Sequence, residues 1–530
     1  MKISFGCGCS FEAEKSNDSP LKIIYNSNNI NLDCKKTWDL ISEGNTKGVF
    51  QLESRLGQSM AKKLKPDNIE HLSALISIMR PGCLEAFREG KSVSNHFIDK
   101  KNGLESIDYF HPSLEPILKN TYGEMVYQEQ AMEIAKEIAG FNLQEADMLR
   151  KAIGKKKPEE MTKVKQKFLD GALNNKKVSI DEAEQIFGWI EKSQRYSFNK
   201  SHAVSYAING YMSAHAKAHF PLVFFLSYLR LAKDKVDPHE EISELISNAK
   251  EMNISVFGPN LSYKNKEFAI INNKIYFGLT NIKNVGDSVY TKLDNLITDI
   301  DLAKLTWSET LIKILLNINS SAAKSIIQCG GVDYFKLSRS TMLHHYNLIS
   351  QLTDKELGYC LEFINKDIPY MISNILNNTK INQKRRIVIE NILHQIQHPP
   401  YSLEDDPEWI ANSEKEILGA SITCSKTDSY DSSYANTNCK DIKTFDNSKQ
   451  FFIVAEISNM NIILTKRGKN PGQEMCFVTL TDSYGNLDCV IFPEEFAEYK
   501  PLIEPGRVLM FSGQKSKKDN SPIVKKCFVV

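Results

Sequence analysis

Between Asp147 and Met161 five cations fall within eight residues: Arg150, Lys151, Lys155, Lys156 and Lys157. A cluster this dense can neutralise a triphosphate as charge builds in phosphoryl transfer, or hold the phosphates of a nucleic acid strand. Gly154 reads as a helix break inside it. Pro158, followed by Glu159 and Glu160, suits the first turn of a following helix. A solvated charged face has the same composition, and composition alone does not choose between the two.

A second run, Tyr196 to Tyr206, crowds polar side chains at the start of a strongly apolar helix. Backbone N–H groups there, with Asn199, Lys200 and the Ser201 hydroxyl, form a natural anion site. His202 could donate to a phosphate or orient a base; a capping or core histidine is the plain alternative, and four polar side chains in sequence weigh against it. A third run, Thr121 to Gln130, places Tyr127 and Gln128 at a helix start, which suits stacking and base-edge contact. Taken alone it reads better as a strand-to-helix turn with the tyrosine packed beneath. The turn Gly278–Gly286, with Lys283, Val285 and Gly286, has the pattern of a helix–hairpin–helix that offers backbone N–H groups to one duplex phosphate. Thr465 to Lys469 is a basic loop, in which Lys466, Arg467 and Lys469 could track a single strand. Cys7, Cys9 and Cys34 suggest a metal knuckle, but a knuckle of this kind usually takes four protein ligands, so they are read as incidental thiols and no metal ligand is assigned.

These residues need elements to hold them. With 530 residues the chain is too long for one core, and two to four domains are expected. Lys and Arg (66) nearly cancel Asp and Glu (65), so any nucleic-acid surface must be local. Eleven cysteines, an odd number without a repeating spacing, argue against a disulfide framework. The start lacks an apolar leader and no run approaches a membrane span, which predicts a cytoplasmic protein without a membrane partner.

From about 37 to 250 the period is helical: Ala183, Ile186, Phe187 and Ile190 share one face, and Val204, Ala207, Ile208 and Tyr211 another. Pro399-Pro400, the acidic Glu404 to Pro407 and the polar stretch 425–449 mark linkers. After 450 the period becomes two. Val478 and Leu480 alternate with Phe477, Thr479 and Thr481; Ser483 to Asn486 is a hairpin turn; Val508–Gln514 and Ile523–Val529 form another hairpin. The fold class expected is multidomain and mainly α, with a small C-terminal all-β barrel.

Taken in order, Lys47 to Ser54, Arg80-Pro81-Gly82, Phe97 to Lys101, Tyr122 to Gln130, Asp147 to Met161, Phe198 to His202, the Gly278–Gly286 turn, Glu414 to Gly419 and the barrel resemble the bacterial DNA polymerase III alpha subunit, a family C replicative polymerase. The resemblance spans about 36 to 530. It implies an extension and palm-to-fingers junction over 1–49, fingers over 50–255, a helix–hairpin–helix domain over 256–400, a linker over 401–449 and an OB-fold domain over 450–530. It also implies that Arg150, Lys151 and Lys155–Lys157 face the incoming nucleotide's phosphates or the template. Asn199 to His202 would then belong to the nucleotide site, with Arg80, Tyr127 and Gln128 lining or supporting it. Primer–template DNA and a deoxynucleoside triphosphate become the implied partners, and two Mg²⁺ ions the implied cofactor, held mainly by the family's palm.

There are four departures from the family. The palm and the metal-dependent N-terminal domain precede the first matching residue, and the palm's three aspartates have no counterpart; Asp33 and Asp39 fall near the junction but outside that motif. Lys151 stands where the family often has Arg, which keeps the charge and loses the bidentate fork. Cys83 replaces a second proline. Gln351-Leu352-Thr353 is a poor match to a peptide for the sliding clamp, another implied partner. The expectation is therefore a DNA-directed DNA polymerase part that is catalytically incomplete alone. Its palm would come from another polypeptide, as in a split or truncated gene of a bacterium or phage. Glu159-Glu160 and Glu404 to Asp406 look like solvated acids rather than substitutes. The alternatives are a DNA-binding replisome module without catalysis, or a scaffold.

Overall fold

The computed structural model describes residues 2–4, 10–16, 19–24, 30–155, 158–193, 197–298, 305–363, 366–378, 380–465, 471–516 and 520–530. The chain divides into two compact units, Met1–Phe224 and Phe225–Val530. The expected domain boundary at 255 thus falls inside the second.

The first unit opens with an antiparallel sheet of β1 (Lys2–Ser4), β2 (Ser10–Ser16) and β3 (Ser19–Ile24), with Ile3 opposite Phe11 and Ala13 opposite Ile23. Sequence reasoning assigns no element to this stretch, although Ser10 to Lys15 alternates apolar and polar residues over a short span. The rest is mainly helical and includes α1 (Lys35–Ser42), α2 (Ile69–Ile78), α3 (Gln128–Ala139), α4 (Leu143–Lys155), α5 (Pro158–Asn175), α6 (Ile180–Ser193) and α7 (Lys200–His219). Every residue of α2 from Leu72 to Ile78 is buried, and α7 packs along it and against α1.

Helices α3 to α6 share a second core, in which Ile134, Ile138, Leu149, Phe168, Phe187 and Ile190 are buried. The Ala183–Ile190 face falls there as its spacing predicts. Gly154 does not break a helix: α4 runs through it to Lys155. A glycine in a helix interior costs about 1 kcal/mol, which burial of Leu149 and Ala152 on the same helix can offset. Pro158 does open the next helix, as expected. Gly171 lets α5 approach α3 closely, because a Cβ there would run into the Ala139 carbonyl.

In the second unit a buried ion pair joins distant segments. Arg339, the first residue of the helix Arg339–Ile349, meets Glu414 at 2.8 Å and Asp333 at 2.8 Å. Glu414 also accepts from the Ile422 and Thr423 backbone N–H groups. The stretch 401–449 is not a free linker. It carries the helix Pro407–Leu418, capped by Asp406, and it sends Cys439 and Ile442 into the barrel core. Two apolar anchors in a polar run were enough to dock it. Leu352 of the supposed clamp peptide is buried and Thr353 caps the following helix, so that peptide is built into the fold.

Strands β4 (Phe451–Leu464), β5 (Glu474–Thr481), β6 (Asn486–Ile491), β7 (Val508–Lys515) and β8 (Pro522–Val529) close a five-stranded barrel in the order β5-β6-β8-β7-β4. All pairings are antiparallel except β6 with β8. Cys476, Val478 and Leu480 point inward and Phe477 outward, the alternation expected. Among the described residues, no helix is long and apolar enough to cross a membrane.

Candidate functional site

The start of α7 is built by three neighbours. Asn199 caps it, its side chain accepting from the His202 N–H at 2.9 Å, and the Ser201 hydroxyl donates to the same oxygen at 2.8 Å. Glu129, in the first turn of α3, accepts from the Lys200 backbone N–H at 3.0 Å and from the Asn199 side-chain amide at 2.8 Å. The backbone anion site predicted here thus already holds an anion, the Glu129 carboxylate. The Lys200 ammonium lies 3.3 Å from Glu70 and 5.6 Å from the centre of the Tyr127 ring.

Tyr127 and Gln128 support this junction rather than line it. Tyr127 is buried, and burial together with nearby Glu70 holds its phenol well above the usual range. The Gln128 N–H donates to the Phe198 carbonyl and the Phe198 N–H to Val126, so the two segments are stitched side by side. Gln130 completes the turn by accepting from both the Val126 and Tyr127 N–H groups at 2.9 Å.

Beside this junction lies a cleft of about 520 Å³ lined by Gln51, Arg80, Gly82, Ser197, Phe198, His202 and Tyr206. The Arg80 guanidinium sits over the Phe198 ring at 5.1 Å. Phe198, His202 and Tyr206 form a row at one-turn intervals, with ring centres 5.5 Å and 4.0 Å apart, and Phe50 packs edge-on to Tyr206. The wall is aromatic and the cation is a fork, and among the described residues no carboxylate lines the cleft. Such a lining suits an anionic ligand with a flat ring: the fork takes phosphate and the rings stack.

Sequence periodicity does not flag Gln51, since its backbone lies in the left-handed region (φ 65°) at the end of a loop. That loop is fixed from beneath by α7. Buried Lys217 donates to the Asn45 and Lys47 carbonyls at 2.9 and 2.8 Å, and the Phe50 N–H donates to the Ser213 hydroxyl at 3.0 Å. Glu129 escapes sequence reasoning too, for it acts on residues seventy positions away.

Arg150 and Lys151 form a separate cluster, both on Asp147, at 2.8 and 2.7 Å. Lys151 and then Arg150 hold that carboxyl below its usual range. Neither residue lines the cleft. Lys155 ends α4, and Lys156 and Lys157 lie outside the described residues.

In the second unit the Gly278–Gly286 turn follows the short strand Lys274–Tyr276, contains a 3-10 turn, Leu279–Asn281, and leads into the helix Asp287–Thr298. It is therefore not a hairpin between two α-helices. The Val285 side chain is buried and its N–H meets the Ile282 carbonyl; the Lys283 N–H meets the Ile417 carbonyl and its ammonium lies 2.9 Å from Glu416. Two of the N–H groups expected to face phosphate are thus engaged within the protein, and Gly286 has open space around it. Lys466, Arg467 and Lys469 lie outside the described residues, while Phe477 and Tyr484 stand exposed on the barrel.

Among the described residues, the group of three metal-capable side chains close enough to share an ion is Cys34, His215 and His219. Its sulfur and nitrogen donors do not suit magnesium, which takes oxygen. The described residues therefore do not fit the magnesium pair that the family resemblance implies.

Comparison with known proteins agrees with these units. Residues 13–176 match the bacterial DNA polymerase III alpha subunit finger domain, and residues 452–525 an OB-fold nucleic acid binding domain. The DNA polymerase III subunit alpha of Aquifex aeolicus is 32% identical over 496 residues, covering 91% of this chain and 37% of the relative. Those of Borreliella burgdorferi and Bacillus subtilis are 30% and 29% identical, over 90% and 94% of this chain. The chain spans about two fifths of the length of these relatives, from 37% to 42%.

Proposed function

We propose that this DNA polymerase III alpha-like segment, with a finger domain toward its N-terminus and an OB fold at its C-terminus, binds the incoming deoxynucleoside triphosphate and the primer–template in DNA replication. The observation that carries the nucleotide part is the joining of Arg80 to the Phe198–His202–Tyr206 row in one cleft.

In this reading the Arg80 fork takes phosphate oxygens in pairs, and the His202 and Tyr206 rings give the base a stacking wall. Asn199 and Glu129 fix the start of α7, so that His202 is held at one place. Arg150 and Lys151, outside the cleft lining, would take template or product phosphates. The barrel holds the single-stranded template, with Phe477 as a stacking platform. The carboxylates that would hold magnesium for phosphoryl transfer would come from a palm-bearing polypeptide.

A second reading has an observation of its own. Lys200 pairs with Glu70 and the start of α7 with Glu129, so part of the predicted phosphate site is already neutralised. In that case the segment holds DNA and no nucleotide.

Equilibrium binding of a fluorescent deoxynucleoside triphosphate to the full chain on a primer–template separates the two. The proposal expects binding that depends on the templating base and that weakens in Arg80→Ala, while DNA affinity and its salt dependence stay unchanged. Salt-dependent DNA affinity with no nucleotide response would leave the second reading. Primer extension by the chain, alone and with a palm-bearing polypeptide added, tests the catalytic part.

A further inference from the structure

The C-terminal end of α7 presents a group that the polymerase reading does not use. Tyr211, His215 and His219 recur every four residues and lie on one face. The rings of His215 and His219 are stacked with centres 4.2 Å apart. Cys34, at the start of α1, brings its sulfur within 3.3 Å of His219 Nε2. One ligand atom from each of Cys34, His215 and His219 lies within 4.8 Å of the others. Cys34 and His215 are buried, and His219 is partly so.

The geometry fits a tetrahedral ion. Zinc binds sulfur at about 2.3 Å and histidine nitrogen at about 2.0–2.1 Å, so its ligand atoms stand roughly 3.3–3.6 Å apart. The Cys34–His219 distance is already of that size, and a His215 nitrogen lies within 4.8 Å of both. Two histidines at i and i+4 on one helix are a recurrent zinc pair, and the third donor comes from a different segment, as a staple requires.

The backbone around Cys34 is held firmly. Its N–H donates to the Tyr211 hydroxyl at 3.1 Å, and that hydroxyl donates to the Asn31 carbonyl at 2.8 Å. Trp38 packs on the Tyr211 ring at 4.7 Å.

We infer that Cys34, His215 and His219 bind one Zn²⁺ ion, with water in the fourth position, and staple the segment before α1 to the end of α7. On binding, the Cys34 thiol loses its proton to solvent and the thiolate becomes the ligand. The inference is independent of the nucleotide reading, because the staple lies at the opposite end of α7 from the cleft.

The test uses the full chain stripped of metal and titrated first with Co²⁺, then with Zn²⁺. One equivalent of cobalt should give the visible bands of a tetrahedral site and a near-ultraviolet thiolate-to-cobalt band, and zinc should displace both. Zinc should raise the Tm of the wild-type chain. Cys34→Ser should abolish the thiolate band and weaken zinc binding about a hundredfold or more. His215→Gln should keep the thiolate band while weakening binding, and it serves where Cys34→Ser fails to fold by circular dichroism. Absence of a tetrahedral cobalt spectrum in the wild type would overturn the inference. So would a spectrum and a zinc affinity unaltered by both substitutions, which would place the metal on other cysteines.

Discussion

The Glu129 carboxylate accepts the Lys200 backbone N–H at 3.0 Å, so the start of α7 is closed by an acid from α3. The same carboxylate holds the Asn199 amide, and Asn199 holds the His202 N–H. One acid thus fixes the segment that carries the ring facing the cleft. An anion at a helix start is stabilised by the helix dipole and by the N–H groups it satisfies. Glu129→Gln should cost about 1 kcal/mol of stability, read by denaturant unfolding. Nucleotide affinity should change less than about threefold, well under the tenfold that 1.4 kcal/mol represents. A tenfold gain would mean that the helix start itself, and not Arg80, takes the phosphate.

Arg80 is the cation that faces the cleft without a carboxylate in its lining. A hydrogen bond to a charged group contributes about 1.5–3 kcal/mol, so Arg80→Ala should weaken nucleotide binding roughly tenfold to a hundredfold. Arg80→Lys should recover only part of this, because a point charge does not replace a fork. Titration of a fluorescent nucleotide on a primer–template reads both. In contrast, Arg150→Ala should leave nucleotide affinity unchanged and weaken DNA binding with a shallower salt dependence. A nucleotide loss in Arg150→Ala equal to that in Arg80→Ala would return the α4 cluster to the nucleotide site.

Local patterns were legible where one element carries its own signal. The face formed by Ala183, Ile186, Phe187 and Ile190 is buried as its spacing requires, and Val478 and Leu480 enter the barrel as period two requires. Asn199 and His202 were legible as polar groups at the start of an apolar helix, and Arg80 only through the family resemblance. The rest depends on long-range partners that no window contains. Glu129 neutralises the α7 start from another helix, Tyr127 is covered by the chain that follows Ser197, and Arg339 finds Glu414 across the second unit. Cys439 and Ile442 dock a polar stretch because the barrel core accepts them, which its composition alone could not reveal. His215 and His219 stand four residues apart in the sequence, a spacing passed over until the fold placed Cys34 beside them.

Gly171 marks the tightest crossing of α3 and α5. A Cβ there would meet the Ala139 carbonyl, which is backbone and cannot swing away. Gly171→Ala should therefore destabilise the first unit by about 1–3 kcal/mol, despite alanine's better helix propensity. A Tm equal to or above wild type would show that the two helices separate without cost.

Glu124 is buried with Lys100 at 2.9 Å, and Arg88 reaches it at 2.6 Å. Removing the buried partner should leave an acid with one half-exposed cation. Lys100→Met should cost about 3–5 kcal/mol, and adding Glu124→Gln should recover much of the loss. A double-mutant cycle by urea unfolding measures the coupling, and additive losses would show that the two charges act separately.

His345 accepts the Trp307 indole N–H at its Nδ1, 3.2 Å away, a bond only the neutral ring can make. Burial, and then neighbouring His344, pushes His345 down to about 4 from an ordinary 6.5. Because the folded state resists protonation, the unfolded chain binds the proton first as pH falls. The stabilising preference is fully present above about pH 6.5 and is lost progressively as pH falls toward about 4. Denaturant unfolding of the chain should therefore show stability declining across that window. His345→Gln, which keeps an acceptor for Trp307 and cannot titrate, should flatten the decline. An unchanged slope in that variant would assign the acid sensitivity to other groups.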